Sequence, residues 1–302
     1  MTESPAAAGA TAVCRVDEQT ALVDLLAAAG LRVPTASGAR TPLLPLTWLA
    51  LAARPLADEL LRHILEGRTA GSAGPPAVVH ISQRVRLAYP LRRGDVLNAS
   101  ARIVAARETP RGLAGRVRTL FTSRDQGSSV LLEPSAEVSS RFLISGGDLQ
   151  SGARAEERVS PRSDGGPEQW LSVTLDQDAV AAFADLSGDH QPLHLDERAA
   201  RDAGFAGPLV HGSLLVAAVE SALGRDTGPG PGAVELGVTF HAPVVAGPAP
   251  LRIGIGAPHR LERGRDGIAV STTPLHLLDS DGRLAASGQL DRTEAAHDPT
   301  HP

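Results

Sequence analysis

The stretch FADLSGDHQPLHLDERAARDAGFAGPLVHGSLL, from Phe183 to Leu215, determines how the rest of the chain is interpreted. Within it, Asp189 precedes His194 by five residues, and Pro192 lies between them. Ser187-Gly188 turns the chain before the acid, and the proline stiffens the loop so that the imidazole returns to the same side. A carboxylate and an imidazole that share one water or one substrate hydroxyl form an acid–base pair. This spacing would allow Asp189 and His194 to form such a pair, although Asp189 alone is typical of a turn and His194 alone of a packed or solvated histidine. The rest of the chain is interpreted as a scaffold around this stretch.

The composition of the 302 residues excludes several classes of protein. The formal charge is −5 and the pI about 6.1, which argues against a nucleic-acid-binding protein with a basic face. Cys14 is the only cysteine, so the chain can form neither an internal disulfide nor a multi-cysteine metal site. No stretch approaches the roughly 18 uncharged apolar residues of a membrane span. We expect a cytoplasmic protein that binds neither nucleic acid nor membrane.

The periodicity of apolar residues predicts two similar halves, each with a central helix followed by a run of strands. We expect a disordered tail at 1–16, an N-terminal unit at 17–145, a linker at 146–168, a C-terminal unit at 169–291 and a disordered tail at 292–302. Helices are predicted at 17–30, Leu56–Leu65, Asp178–Leu186 and Gly212–Leu223. Strands are predicted from Ala77 and at Val96–Ala105, Leu113–Ser123, Ser135–Ile144, Trp170–Leu175, Ala233–Pro243, Leu251–Ala257, Gly267–Leu277 and Leu284–Asp291.

A constant offset of 153 residues relates the two halves and indicates an internal duplication. The stretch Tyr89–Gly94 corresponds to Ala242–Gly247 at this offset, and Pro55-Leu56 corresponds to Pro208-Leu209. At the same offset, Asp189 and His194 correspond to alanine and threonine, which cannot replace an acid and a base. The first half is therefore expected to keep the shape of the second half without its chemistry.

The motif SGDHQPLHLD followed by GFAGPLVHGSLL resembles the signature of the MaoC-like (R)-specific enoyl hydratases and 3-hydroxyacyl-thioester dehydratases. The resemblance covers about residues 40–290, including the LPLTW stretch from Leu44 and the PLRRGD turn from Pro90. It implies an α+β fold of the double hot-dog type, in which two fused units each wrap an antiparallel sheet around a central helix. Such a chain is its own pseudo-dimer, so we expect a monomer or a homodimer.

The same resemblance implies the reaction and the roles of several residues. Asp189 and His194 would hold the water that adds across the double bond of a trans-2-enoyl thioester of coenzyme A or acyl carrier protein. In reverse they would take the α-proton and protonate the departing β-hydroxyl. Gly212 matches the glycine whose backbone N–H binds the thioester oxygen, at a helix N-terminus where such donors are unpaired.

Three further residues are predicted to contact substrate, and His211 is interpreted as mainly structural. Gln191 stands where many relatives have asparagine, and Ser213 and Glu220 can share one face of the central helix. A glutamate there would shorten the acyl tunnel, add polarity to it, or point to solvent. These departures affect the acyl chain that is accepted rather than the type of reaction.

We expect neither a metal nor a cofactor, because the chain contains no HExxH, P-loop or dinucleotide fingerprint. His80, His241, His259 and His276 lack the spacing of metal ligands. Arginines that could contact the phosphates of a coenzyme A or carrier-protein arm are Arg84, Arg86, Arg92, Arg93, Arg198 and Arg201.

Two other functions remain open at the level of sequence. A hot-dog thioesterase would need a carboxylate facing the carbonyl carbon, for which Glu220 is the residue available. A non-catalytic subunit that binds acyl thioesters would keep the slot without turnover. The sequence leaves undecided the acyl chain length, the choice between coenzyme A and carrier protein, the direction of the reaction and the pathway.

Overall fold

A computed structural model of the chain describes residues 9–16, 20–31, 44–68, 77–89, 91–123, 134–145, 167–224, 232–263 and 268–293. The helices are α1 (Thr20–Ala28), α2 (Pro45–Arg68), α3 (Gln177–Ser187), α4 (Pro192–Leu195), α5 (Glu197–Asp202) and α6 (Gly212–Leu223). The strands are β1 (Gly9–Arg15), β2 (Ala77–Leu87), β3 (Val96–Thr109), β4 (Gly112–Ser123), β5 (Ala136–Ser145), β6 (Gln169–Val173), β7 (Val234–Phe240), β8 (Leu251–Ile255), β9 (His259–Arg263), β10 (Ile268–Leu278) and β11 (Leu284–Thr293). Residues 146–166 of the predicted linker at 146–168 lie outside the described residues, as do Pro90 and residues 1–8 and 294–302 of the predicted tails. Arg292 and Thr293, which were predicted to belong to the C-terminal tail, end strand β11.

The eleven strands of the described residues form one sheet, and its order confirms the two-unit fold. The order is β1-β3-β4-β5-β2-β7-β11-β10-β8-β6, with β9 paired to β10, and every pairing is antiparallel. The order in the second half is the reverse of that in the first, as expected for two copies related by a pseudo-twofold axis. The two halves meet where β2 pairs with β7, from Ser82 opposite Thr239 to Leu87 opposite Val234.

Each half of the sheet packs against one long helix. In α2, apolar side chains recur every three or four residues and are buried, among them Leu46, Leu49, Ala53 and Leu60. Nearly every residue of α6 is buried, which explains why its sequence is apolar on all sides. Since α2 and α6 also contact one another, the two units share one continuous core.

Two predictions about the first unit are wrong. Gly9–Arg15 was predicted to be disordered but forms strand β1, which pairs with β3 from Gly9 opposite Arg102 to Arg15 opposite Val96. Three of its seven residues, Gly9, Ala10 and Ala12, carry little strand propensity, so the pairing with β3 contributes strongly to its structure. The central helix was predicted to begin near Leu56 but begins at Pro45 and contains Pro55 within it.

The longer α2 also contradicts one of the sequence correspondences that indicated a duplication. Pro55 lies inside a helix, whereas Pro208 lies in the loop before α6, so the two are not equivalent in the fold. The match of Tyr89–Gly94 to Ala242–Gly247 does hold in position, because the two segments follow β2 and β7. The elements α4, α5 and β9 were not predicted. Among the described residues, no helix combines the length and the apolarity needed to cross a bilayer.

Candidate active site

Asp189 is held by the end of α3 and by the turn that follows it. Gly188 ends the helix with φ 72°, a left-handed conformation that glycine adopts without strain. The backbone N–H of Asp189 donates to Ser187 Oγ at 3.2 Å, and Asp189 Oδ1 accepts from the N–H of Gln191 at 3.4 Å. The carboxylate is 4% exposed, so its orientation is set by the protein rather than by solvent.

His194 lies in the short helix α4, which Pro192 begins. Its Nδ1–H donates to the carbonyl oxygen of Leu209 at 2.8 Å, so that in a neutral ring Nε2 carries the lone pair. Nε2 stands 3.7 Å from Asp189 Oδ2. The structure therefore brings together the acid and the imidazole that the spacing predicted to converge, with a proton-accepting nitrogen facing the carboxylate.

His211 contacts both members of this pair. It is buried, its Nε2–H donates to the carbonyl oxygen of Asp189 at 3.0 Å, and its ring stacks on that of His194 with centroids 3.8 Å apart. These contacts agree with the structural role inferred for His211, because they fix both the backbone of the acid and the plane of the base.

Burial keeps both imidazoles neutral near pH 7. Burial lowers the pKa of His194, and the carboxylate of Asp189 opposes that shift. Burial, followed by the neighbouring His194, lowers the pKa of His211 to about 4. His194 is therefore available as a proton acceptor at physiological pH.

The first unit contributes charged and polar groups to this site, contrary to the prediction that it keeps only the shape. Arg54 of α2 places its Nη1 2.6 Å from Asp189 Oδ2, and its Nε lies 3.1 Å from Asp58 Oδ2. His80 of β2 lines the same cavity, and burial lowers its pKa to about 4. No spacing in the sequence connects these three residues with the motif, since they meet it only through the packing of α2 and β2.

Gly212 is the first residue of α6, where a backbone N–H has no acceptor within the helix. A Cβ at this position would lie 3.1 Å from His80 Nδ1 and 3.2 Å from ring carbons of Phe240. Ser213, the next residue, is 7% exposed, and both line the cavity. Gly212 therefore offers to the cavity a backbone N–H that has no acceptor within the helix, and a side chain here would require His80 or Phe240 to shift by a few tenths of an ångström.

Gly212→Ala is expected to lower kcat/KM for the predicted hydration of enoyl thioesters by about tenfold to a hundredfold. The new methyl group would displace the substrate carbonyl or the His80 and Phe240 rings by a fraction of an ångström. Gly247→Ala is the matched control, since a Cβ there meets nothing within 4 Å, and it should keep the wild-type value. Steady-state kinetics of both variants measure the difference. Equal kinetics in the two variants would contradict the assignment of Gly212.

These groups face a largely apolar cavity of about 370 Å³ that both units line. Asp189, Gln191, His194, Gly212 and Ser213 all border it, so five of the predicted site residues share one space. Its apolar lining comes in large part from the first unit. Members of that lining are Ala50, Ala53, Ala57 and Leu61 of α2, with Val117 of β4 and Phe142 of β5.

Glu220 does not line this cavity, so its predicted contact with substrate is wrong. Its side chain is fully buried and accepts three hydrogen bonds from the start of α2: from Leu46 N at 3.1 Å, Thr47 N at 2.7 Å and Thr47 Oγ1 at 2.7 Å. Burial raises the pKa of Glu220 to about 7, against the lowering effect of these donors. The residue caps a helix of the other unit, which explains a carboxylate within an apolar helix.

The arginines expected to contact phosphates do not border the cavity; the arginines that do so, within the described residues, are Arg54 and Arg111. Three of the expected six form ion pairs with acidic neighbours, namely Arg84 with Glu235, Arg198 with Asp202 and Arg201 with Glu197.

Asp189, His194 and His211 each offer a ligand atom within 4.8 Å of the others, which is close enough to consider a metal ion. A cation there would stand against the Arg54 guanidinium, whose Nη1 already lies 2.6 Å from the carboxylate oxygen. The arrangement therefore suits a water molecule held between Asp189 and His194 better than it suits a metal ion.

Comparison with known proteins gives matches to a family model and to two relatives. The sequence model of the MaoC like domain matches residues 159–249. The (R)-specific enoyl-CoA hydratase of Aeromonas caviae is 33% identical over 126 residues, which span 41% of this chain and 90% of that protein. The 3-hydroxyacyl-thioester dehydratase Y of Mycobacterium tuberculosis is 28% identical over 181 residues, which span 59% of this chain and 61% of that protein.

Solved structures match nearly the whole length of the chain. A MaoC-like dehydratase superposes with a TM-score of 0.69 and 16% identity, covering 97% of this chain and 99% of the other. HtdX from Mycobacterium tuberculosis superposes with a TM-score of 0.60 and 22% identity, covering 92% of this chain and 98% of the other. At these identities the superpositions establish a shared fold.

Proposed function

Since the chain belongs to the MaoC-like dehydratase family, we propose that it adds water reversibly to trans-2-enoyl thioesters, with Asp189 and His194 holding the reacting water. Membership of this family makes the chain a hydro-lyase. The observation that carries the proposal is the 3.7 Å separation of Asp189 Oδ2 and His194 Nε2 on the wall of a largely apolar cavity. An apolar space with a few convergent polar groups is what an acyl thioester requires.

In the hydration direction, His194 Nε2 accepts a proton from the water as the water oxygen bonds to C3 of the enoyl group. Asp189 accepts a hydrogen bond from the same water and stabilises the imidazolium that forms. The imidazolium then returns the proton to C2, so that the net change is addition of one water. Dehydration of the (R)-3-hydroxyacyl thioester follows these steps in reverse.

Charge develops on the thioester oxygen between the two steps, and the N–H of Gly212 is the donor proposed to bind it. The first N–H groups of a helix point out of its end, and the helix dipole favours a negative charge there. A single preorganised donor of this kind typically lowers the barrier by about 3–4 kcal/mol.

The test is to incubate the purified chain with crotonyl-CoA and longer enoyl-CoA thioesters and follow the loss of the conjugated double bond. Formation of the (R)-3-hydroxyacyl product, with no free thiol, is expected. Release of free coenzyme A without hydration would instead favour a thioesterase, and tight binding without turnover at any chain length would favour a non-catalytic subunit. Glu220, the carboxylate available for the thioesterase hypothesis, faces α2 rather than the cavity.

We propose further that the acyl chain occupies the part of the cavity between α2 and the strands of the first unit. Ala50, Ala53 and Ala57 lie on one face of α2 at helical spacing and border the cavity. Small side chains on that face leave room that larger ones would fill. Apolar side chains opposite, such as Val117 and Phe142, would contact the chain.

Ala57→Phe is expected to abolish turnover of long enoyl thioesters while keeping that of crotonyl-CoA, because the ring fills the space assigned to the distal carbons. Loss of each buried methylene contact removes about 0.8 kcal/mol of binding, so the effect should grow with chain length. Values of kcat/KM for a series of chain lengths measure it. An equal reduction at every length would contradict this placement of the acyl chain.

A further inference from the structure

Arg54 reaches the reacting groups from the unit that lacks the motif, and we propose that it is a positioning residue that holds the Asp189 carboxylate in its working orientation. This inference rests on the proposed function, because it concerns the water that Asp189 and His194 share. It makes the first unit necessary for catalysis and not only for the shape of the cavity.

The contacts of Asp189 support this role. Its Oδ2 lies 2.6 Å from Arg54 Nη1, and the same oxygen lies 3.7 Å from His194 Nε2 and 3.8 Å from His211 Nε2. Its Oδ1 accepts one long hydrogen bond, from Gln191 N at 3.4 Å. The contact with Arg54 is thus much the shortest of these, and it sets the rotation of the carboxylate toward His194.

The negative charge of the buried Asp189 carboxylate also indicates that Arg54 holds this group. The carboxylate is 4% exposed, and a buried charge without a partner destabilises a protein strongly. Both imidazoles beside it are neutral near pH 7, because burial lowers the pKa of each. Among the described residues, Arg54 is the permanent cation in contact with Asp189.

Arg54 is itself held in place from both directions along α2. Asp58, one turn later, contacts the guanidinium Nε at 3.1 Å. Thr47, two turns earlier, donates to the buried carboxylate of Glu220 on α6. The ion pair with Asp58 and the anchored start of α2 both restrict where the guanidinium can lie, as a positioning group requires.

Arg54 also acts electrostatically on the base. Burial lowers the pKa of His194, Asp189 raises it, and the positive charge of Arg54 lowers it further. Within the described part of the chain, the charged and titratable groups facing His194 are Asp189, His211 and Arg54. Removal of Arg54 should therefore raise the pKa of His194 and move the acid limb of the kcat profile to higher pH.

The experiment compares Arg54→Gln, Arg54→Lys and the control Arg62→Gln by enoyl-CoA hydration. For Arg54→Gln we expect kcat to fall about a hundredfold with KM nearly unchanged, since a misplaced catalytic group costs that much. Added guanidinium ions should restore part of kcat, and the acid limb should move to higher pH. Arg62 lies on the same helix, pairs with Glu66 at 2.7 Å and is 60% exposed, so its variant should match the wild type.

Arg54→Lys keeps the charge but loses the planar fork, so it should fold if Arg54→Gln does not and should still lower kcat. Wild-type kcat and an unmoved acid limb in both Arg54 variants would overturn the inference while leaving hydratase activity in place. A lower melting temperature with unchanged kcat would also overturn it, because the role would then be structural. A wild-type chain without hydratase activity would overturn the proposed function and this inference together.

Discussion

Asp189→Asn is expected to lower kcat for enoyl-CoA hydration by about a thousandfold, within the range for loss of a positioned acid–base group. The amide has nearly the shape of the carboxylate, so the variant should fold. It lacks the negative charge that stabilises the His194 imidazolium. An amide nitrogen in the position now held by Oδ2 would also face Arg54 Nη1, so that two hydrogen-bond donors would oppose one another. Steady-state kinetics with crotonyl-CoA and thermal unfolding measure the two effects separately.

Asp185→Asn is the matched control for this experiment. Asp185 lies one turn before the site, pairs with His190 at 3.1 Å, and is 82% exposed. Its variant should keep the wild-type rate, whereas His194→Ala should lose activity as severely as Asp189→Asn. Unchanged turnover in both Asp189→Asn and His194→Ala would remove the assignment of the catalytic pair.

Local chemistry explains why the sequence predicted that Asp189 and His194 lie close together. Glycine at the end of α3 and proline at the start of α4 determine the turn that carries Asp189 and His194, and both signals act within a few residues. The alternation of apolar and polar residues likewise predicted β2 and most other strands close to their observed bounds. Elements that are defined by neighbours in sequence could be predicted from sequence.

Elements that depend on distant partners could not be predicted in this way. Strand β1 is rich in glycine and alanine and forms by pairing with β3, which lies far along the chain. Arg54 and His80 reach the site only because α2 and β2 pack beside the second unit. Glu220 was assigned to substrate from its face on the helix, but that face meets the start of α2.

The two units therefore contribute different groups to one shared site. The acid and the imidazole, Asp189 and His194, both come from the second unit. The first unit contributes a cation against Asp189, a histidine beside Gly212 and much of the apolar lining. Separation of the units should thus remove catalysis even if each retained its strands, because the site is completed across their junction.

The largest effect on stability is expected from Glu220→Gln, and it should depend on pH. Burial raises the pKa of Glu220 from an ordinary value of 4.5 to about 7, so the folded protein binds this proton more tightly than the unfolded chain does. The stability that Glu220 contributes is then complete below about pH 4.5 and is lost as the pH rises through 7. A shift of this size corresponds to about 3 kcal/mol. Glutamine does not titrate. The free energy of unfolding of the variant, relative to that of the wild type, should therefore increase by up to that amount between pH 5 and pH 8.

Urea unfolding of both proteins across this pH range measures the difference in their free energies of unfolding, in which the contributions of all other titrating groups cancel. Glu66→Gln provides the control, since Glu66 lies on the exposed side of α2 and its side chain is 59% exposed. Its curve should run parallel to that of the wild type. A constant difference between Glu220→Gln and the wild type would mean that the three donors of Leu46 and Thr47 keep the Glu220 carboxylate ionised in spite of its burial. These hydrogen bonds and the helix dipole of α2 would then outweigh desolvation, and Glu220 would cap α2 as an ionised carboxylate.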